Sequence, residues 1–276
     1  MFIQTVTMKI VYFALFLLLV FYGNAQNIDN VKFRIHYAAK FKTWEDSKSI
    51  RQDEKILEIG TNSSKFYSLW ETKIRETKDS VIARGGTSSD VMNAVEKLPY
   101  PHSYQYYAVY KNYPQKGTLT YTDKVFKEFI YEEAMERPMW KIIPQQDAQI
   151  AGYACQKAET TYRGRTWNVW YTTDIPISDG PWKLYGLPGL ILKAVDAKDD
   201  FWFECIEIEN IEKEPMCIPK YNYLKCTAEK LKQMHIKMGK DPYGFFRQWG
   251  IESGQGYGAD GKPLVYKERK AVLLEY

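Results

Sequence analysis

The sequence predicts a mainly β fold: a single antiparallel, strongly curved sheet, shaped as an open barrel or bowl, with one or two short helices. Two observations lead there. Short stretches that alternate apolar and polar residues recur along the chain with turn residues between them, which is the pattern of half-buried strands. Against them stands one convincing helical stretch, late in the chain.

Val31, Phe33, Ile35 and Tyr37 alternate with polar neighbours and make the first strand. Further strands are expected over Lys55–Ile59, Lys65–Trp70, Tyr104–Tyr110, Thr118–Thr122, Phe126–Tyr131 and Met139–Ile143. Tyr153–Tyr162 and Thr166–Thr172 flank Arg163-Gly164-Arg165, a link short enough for a hairpin. Leu190–Val195 and Phe201–Ile208 form a second hairpin across Ala197-Lys198-Asp199-Asp200. The helix begins after Thr227, a residue suited to capping it. Leu231, Met234 and Met238 fall on one face before Gly239 ends it. Ser88–Leu98 offers a second, shorter helix. Asp241–Phe246 and Gly254–Gly261 read as irregular, and Leu264–Tyr266 and Ala271–Leu274 as late strands.

Between the two hairpins lies a long apolar loop, Pro176 to Gly189. Its second half reads Gly180-Pro181-Trp182-Lys183-Leu184-Tyr185-Gly186-Leu187-Pro188-Gly189-Leu190-Ile191. Pro188 fixes its own φ, and Gly189 suits the positive φ at the third position of a type II turn over Leu187–Leu190. A loop this apolar either packs across the core or forms the wall of a binding site.

The run Gly186-Leu187-Pro188-Gly189-Leu190-Ile191 resembles the signature of the GLPGLI family, secreted proteins of Bacteroidetes bacteria. Gly152-Tyr153-Ala154-Cys155-Gln156-Lys157-Ala158 is similar to its companion pattern. The resemblance implies export and a β-rich architecture and says little about activity. The arrangement is also similar to the curved sheet of the carrier that ferries lipoproteins across the periplasm. The bowl-like amino-terminal module of some secreted bacterial glycoamidases looks related as well. Fold analogies of this kind do not carry function.

Lys9, the apolar run Ile10–Tyr22 and the small residues of Gly23-Asn24-Ala25 make residues 1–25 a secretory signal peptide, leaving 26–276 as one domain. The run is short of the ~20 residues of a membrane span, and no transmembrane segment is expected in the mature chain. The expected location is the periplasm or the medium. A net charge of +4, spread among acidic residues, gives no basic stripe and excludes nucleic acid as a partner. The four cysteines are Cys155, Cys205, Cys217 and Cys226. Cys217 and Cys226 are close enough in sequence for a local disulfide, and free buried thiols are the alternative.

The chemistry-bearing residues do not converge in the sequence. His36, His102 and His235 are isolated, so neither a metal site nor a cofactor is expected. No Gly-x-Ser-x-Gly or phosphate loop is present. The reading this favours is a non-catalytic envelope binding or carrier protein, its aromatic cleft lined by Trp167, Trp170, Trp182, Tyr185 and Leu187. Arg163 and Arg165 are its candidates for gripping an anionic group, and its ligand a hydrophobic molecule or peptide. Two readings stand beside it. One is an enzyme or accessory module acting on glycans or peptides, with Asp174 and Asp179 as acid and base. The other is an interaction partner of an outer-membrane protein.

Overall fold

The computed structural model describes residues 25–250, 262 and 268–275. The signal peptide, apart from Ala25, the irregular stretch Gly254–Gly261 and the strand expected at Leu264–Tyr266 lie outside the described residues.

The chain is mainly β, with one large open sheet of 12 strands and few helices. Its strands are β1 (Ala25–Phe41), β2 (Arg51–Ile59), β3 (Ser64–Ser68), β4 (Ala108–Lys111), β5 (Thr118–Lys124) and β6 (Glu128–Ala134). There follow β7 (Lys141–Ile150), β8 (Tyr153–Tyr162), β9 (Arg165–Thr172), β10 (Leu190–Asp196), β11 (Phe201–Pro219) and β12 (Leu224–Lys225). The helices are α1 (Leu69–Ala83), α2 (Ser88–Glu96), α3 (Ala228–Lys240) and α4 (Pro242–Gln248). Strand order is β12-β6-β5-β4-β3-β2-β1-β11-β10-β9-β8-β7. Two antiparallel meanders, β1 to β6 and β7 to β11, therefore meet along the seam where β1 pairs with β11. The seam runs the full length of β1, from Ala25 opposite Pro219 to Phe41 opposite Phe201, with bulges that bend it.

The expected single antiparallel sheet needs correction, because β12 pairs parallel to β6 and makes the sheet mixed. The helices were also under-read. Lys65–Trp70 does not continue as a strand: Ser68 caps α1, its side chain accepting a hydrogen bond from Glu71 N at 3.0 Å. Asp241 likewise caps α4 over a segment expected to be irregular. Of the late strand at Ala271–Leu274, the structure keeps one bridge, Ala271 to Trp44.

The sheet curls around the apolar loop. Trp182 and Trp167 are fully buried with ring centroids 5.7 Å apart, and Tyr37 on β1 donates to Ile191 O at 2.7 Å. Glu133 on β6 and Arg163 in the β8–β9 turn, from strands near opposite edges, meet at 3.3 Å. Two buried lysines hold the loop inside. Lys111 on β4 pairs with Asp179 and donates to the carbonyls of Gly180 at 2.6 Å and Leu184 at 3.4 Å. Burial pushes the Lys111 amine down, and the charge and hydrogen bond of Asp179 oppose that push. Lys183, in the loop itself, reaches Glu133 at 2.7 Å, Glu275 at 2.9 Å and the Tyr131 hydroxyl at 3.0 Å.

The signature turn works differently from the expectation. The left-handed residues are Trp182 (φ 52°) and Gly186 (φ 100°), and Gly189 is not among them. Gly189 is required by closeness: a Cβ there would run into the carbonyl of Thr172 on β9. All four cysteines are free, so the expected Cys217–Cys226 bridge is not formed. The Cys226 thiol faces Ile130 O at 3.7 Å on β6, whereas Cys217 sits in the β1–β11 seam opposite Asn27. Burial pushes the thiols of Cys155 and Cys205 up to about 11 and about 12, which keeps them protonated and inert.

Two substitutions measure these constraints. Gly189→Ala should lose at least about 1–3 kcal/mol in urea unfolding, the scale of an overpacked core. Lys111→Met should lose about 3–5 kcal/mol by leaving Asp179 buried without its cation, and Lys111→Met with Asp179→Leu should recover most of it.

Candidate functional site

Opposite the seam, the inner face of β4 to β6 carries tyrosines in register. Tyr121 pairs directly with Tyr131 across the β5–β6 ladder, their rings stacked at 5.1 Å and 17°. Tyr107 stacks on Tyr121 at 5.7 Å and 10°. These rings form the floor of a cavity of about 480 Å³. One wall is α3, whose Leu231, His235 and Met238 face inward; Thr227 caps the helix as expected, accepting from Lys230 N at 3.2 Å. A second wall is the segment from Ala271 to Glu275, tied down by Val272 N to Thr43 O at 3.0 Å and Arg165 Nε to Leu273 O at 2.7 Å. Trp44, Arg51 and Tyr104 complete the rim, with the Arg51 guanidinium 4.8 Å from the Tyr104 ring centroid.

Charged groups stand at the edges of the aromatic floor. Lys183 lies 5.1 Å from the Tyr121 ring centroid and 5.4 Å from that of Tyr131. Lys55, buried and paired with Asp53 at 2.9 Å, lies 4.5 Å from the ring of Tyr107. His235 Nε2 on α3 meets Asp123 Oδ2 on β5 at 2.8 Å, inside the cavity. Burial would lower the pKa of this imidazole, but the charge and hydrogen bond of Asp123 together outweigh it, and the net shift is upward. The buried Glu71 of α1 shapes the adjoining loop by accepting from Tyr104 N at 2.7 Å and lying 3.3 Å from His102 Nδ1. Aromatic faces for stacking, an imidazole whose charged form Asp123 favours and a carboxylate for accepting hydrogen bonds thus converge on one concave surface.

The residues singled out in the sequence lie elsewhere. Trp167, Trp182 and Leu187 are core residues, buried to 3% exposure or less. Trp170 faces outward between Lys157 and Lys193, each 5.3 Å from its ring, and Tyr185 is half-buried beside Trp140, which donates to its carbonyl at 2.8 Å. Arg165 is buried between Asp196 at 2.5 Å and Asp200 at 3.1 Å, and Arg163 is shared among Glu133, Glu136 and Glu275. None of them lines the cavity. In the signature run, Gly180 packs against Ile191, Pro181, Leu190 and Ile191 are buried, and Pro188 is exposed. Asp179 is engaged by Lys111, while Asp174 is exposed, so acid–base work at Asp179 would first have to break a buried ion pair. Sequence reasoning missed the Asp123–His235 pair, whose members lie 112 positions apart. The signal that could have found it is the tyrosine register of β5 and β6, which marks the floor.

A family model described as "N-glycanase peptide, N-terminal domain" matches residues 72–232, more than half of the chain. This match overturns the GLPGLI assignment, and with it both the reading as a non-catalytic carrier and the expectation that the chain is no enzyme. No curated protein matches. Among solved structures the chain is similar to PNGF-II in a P21 crystal form, with TM-score 0.48, 18% identity, and coverage of 76% of this chain and 34% of that one. PNGF-II in a C2 form gives 0.47, 18%, 76% and 33%. A LolA superfamily protein from Nitrosomonas europaea gives 0.26, 8%, 68% and 88%. The chain thus spans about a third of the length of PNGF-II. Among the described residues no helix is long and apolar enough to cross a membrane.

The upward shift of His235 fixes the sign of a pH effect. A group whose folded pKa is raised stabilises fully below its unfolded value of about 6.5, and the contribution is lost as pH rises through the folded pKa. Thermal melts of the native chain and His235→Gln should differ by a few degrees at pH 6 and converge at high pH. A gap that widens with rising pH would contradict the assignment.

Proposed function

The chain belongs to the family of N-glycanase N-terminal domains, and from that premise we propose that it serves a glycan-acting enzyme on N-linked glycans, with the tyrosine-floored cavity holding a sugar. The observation that carries this reading is the conjunction of stacked Tyr107, Tyr121 and Tyr131 with the Asp123–His235 pair in one cavity. Pyranose rings have apolar faces that lie on aromatic rings and hydroxyl rims that donate to carboxylates, so a floor of rings beside an acidic group suits them. In this reading the curled sheet acts as a bowl, α3 and the Ala271–Glu275 segment bound its mouth, and Arg51 and Tyr104 bind the part of the glycan that projects out. His235, whose charged form Asp123 favours, is the residue placed to donate a proton to a bound sugar. The aspartates Asp174 and Asp179 lie outside this cavity and take no part in it. An exported chain would meet such glycoproteins outside the cytoplasm, in keeping with the signal peptide read over residues 1–25.

The reading is tested by titrating the chain with an N-glycosylated peptide and with the same peptide after its glycan is removed. The glycopeptide alone should bind, and Asp123→Asn should weaken binding about 10- to 100-fold, the worth of a charge-assisted hydrogen bond. Trp44→Ala should weaken it as well. Equal binding of the two peptides, or an Asp123→Asn variant that binds as the native chain does, would overturn the proposal.

A further inference from the structure

The seam between the meanders carries a second constellation, on the face opposite the core. Ile35 and Tyr37 are fully buried in the core, so His36 between them points to the other side of the sheet. Across the seam His36 stands in register with Glu207, and Glu209 follows two positions on along the same face of β11. One ligand atom from each of His36, Glu207 and Glu209 lies within 4.8 Å of the others. The imidazole is oriented by a carboxylate: Nδ1 lies 2.6 Å from Glu54 Oε1 on β2. A neutral ring donating from Nδ1 presents a lone pair at Nε2. That Nε2 is shut off from solvent, has no hydrogen-bond partner, and sits 3.5 Å from Glu209 Oε2. With the ring in that tautomer, one nitrogen lone pair and two carboxylates within 4.8 Å of one another make a donor set that a cation between them would satisfy. Arg34 stands at the margin of this cluster: its Nη1 pairs with the same Glu209 Oε2 at 3.6 Å, while its Nη2 meets Glu58 at 3.3 Å and Glu214 at 2.5 Å, so a metal would compete with one long ion pair at Glu209. Glu207 has no ion pair among the described residues.

We propose that His36, Glu207 and Glu209 form a binding site for a divalent transition metal of the zinc type, with Glu54 as the positioning residue that fixes the ring. An imidazole nitrogen with two carboxylates suits zinc better than calcium or magnesium, which take oxygen ligands. Ligand atoms around a tetrahedral zinc stand roughly 3.4 Å apart for metal–ligand bonds of about 2.1 Å, so small rotations of the exposed Glu207 and the half-buried Glu209 close the set. A carboxylate hydrogen-bonded to the distal nitrogen of a metal-binding histidine is the arrangement that sets its tautomer and raises its basicity. Three protein donors leave a coordination position for water. The ion would clip β1 to β11, the strands on which the joining of the two meanders rests. This inference uses no part of the cavity and stands or falls apart from the glycan reading.

The test is calorimetric titration of the chelator-treated full chain with zinc chloride, and separately with calcium chloride and magnesium chloride. One equivalent of zinc should bind, more tightly than either alkaline-earth ion. His36→Ala should abolish that binding and Glu207→Gln should weaken it at least about 10-fold. Glu54→Gln should weaken it about 10- to 100-fold while leaving the stoichiometry at one. Glu207 is exposed and, among the described residues, in no ion pair, so its variant reports on metal binding even if His36→Ala fails to fold; metal-free melts establish which variants are folded. Zinc uptake that is absent, that prefers calcium or magnesium, or that is unchanged in Glu207→Gln would overturn the proposal.

Discussion

The architecture depends on burying a loop that would otherwise be too polar in its backbone to sit inside a protein. The segment from Asp179 to Leu184 runs inside the curled sheet, where Asp179 O accepts from Ile191 N at 3.0 Å and Pro181 O from Leu184 N at 3.1 Å, and the carbonyls of Gly180 and Leu184 turn to a side chain. Lys111 solves this with one ammonium that meets the Asp179 carboxylate and the carbonyls of Gly180 and Leu184. A lone buried charge would be prohibitive, yet paired and fully hydrogen-bonded it becomes a fixed point. Lys183 does the same from the loop outward, joining it to β6 through Glu133 and Tyr131 and to the terminal segment through Glu275. These two lysines join the loop to β4, to β6 and to the terminal segment, and Arg163–Glu133 and the Val272 N and Arg165 Nε hydrogen bonds complete the closure around it.

The same arrangement couples the core to the cavity. Lys183 lies against the Tyr121 and Tyr131 rings that make the cavity floor, and its partner Glu275 lines the same cavity. The aromatic loop therefore supports the site from beneath without entering it. Trp167 and Trp182 fill the interior beside the loop, packing on each other and on Tyr162 and Phe203. Trp167 and Trp182, which the sequence offered as a binding surface, pack in the core, and the cavity is lined by other residues.

Much of the fold was legible because strand alternation is a local signal. Tyr153–Tyr162 and β8 coincide, as do the capped start of α3 and its Leu231, Met234 face. The α1 helix was obscured because Lys65 to Trp70 alternates like a strand up to Ser68, and the side chain that redirects the chain is a single capping hydroxyl. The parallel β12 is two residues long and carries no periodicity to detect. For the site, the limitation was physical: Asp123 meets His235, and His36 meets Glu207, only after the sheet is assembled, and searching for histidines at local spacing cannot reveal pairs made by strand register. The GLPGLI run misled for a related reason. It describes a turn and the strand it enters, and the close approach of Gly189 to Thr172 is a packing requirement that says nothing about chemistry.

An open sheet of this size has two exposed margins, and the outer one is β7. Its pairing with β8 breaks between Ile143 and Ala148, where Pro144 lacks an amide proton and Gln145 turns into the left-handed region at φ 60°. The opposite margin ends in the two-residue β12. Neither border presents a long, regular row of unsatisfied backbone groups onto which another chain could extend the ladder. The fold can thus leave its sheet unclosed without offering either rim as a template for edge-to-edge pairing.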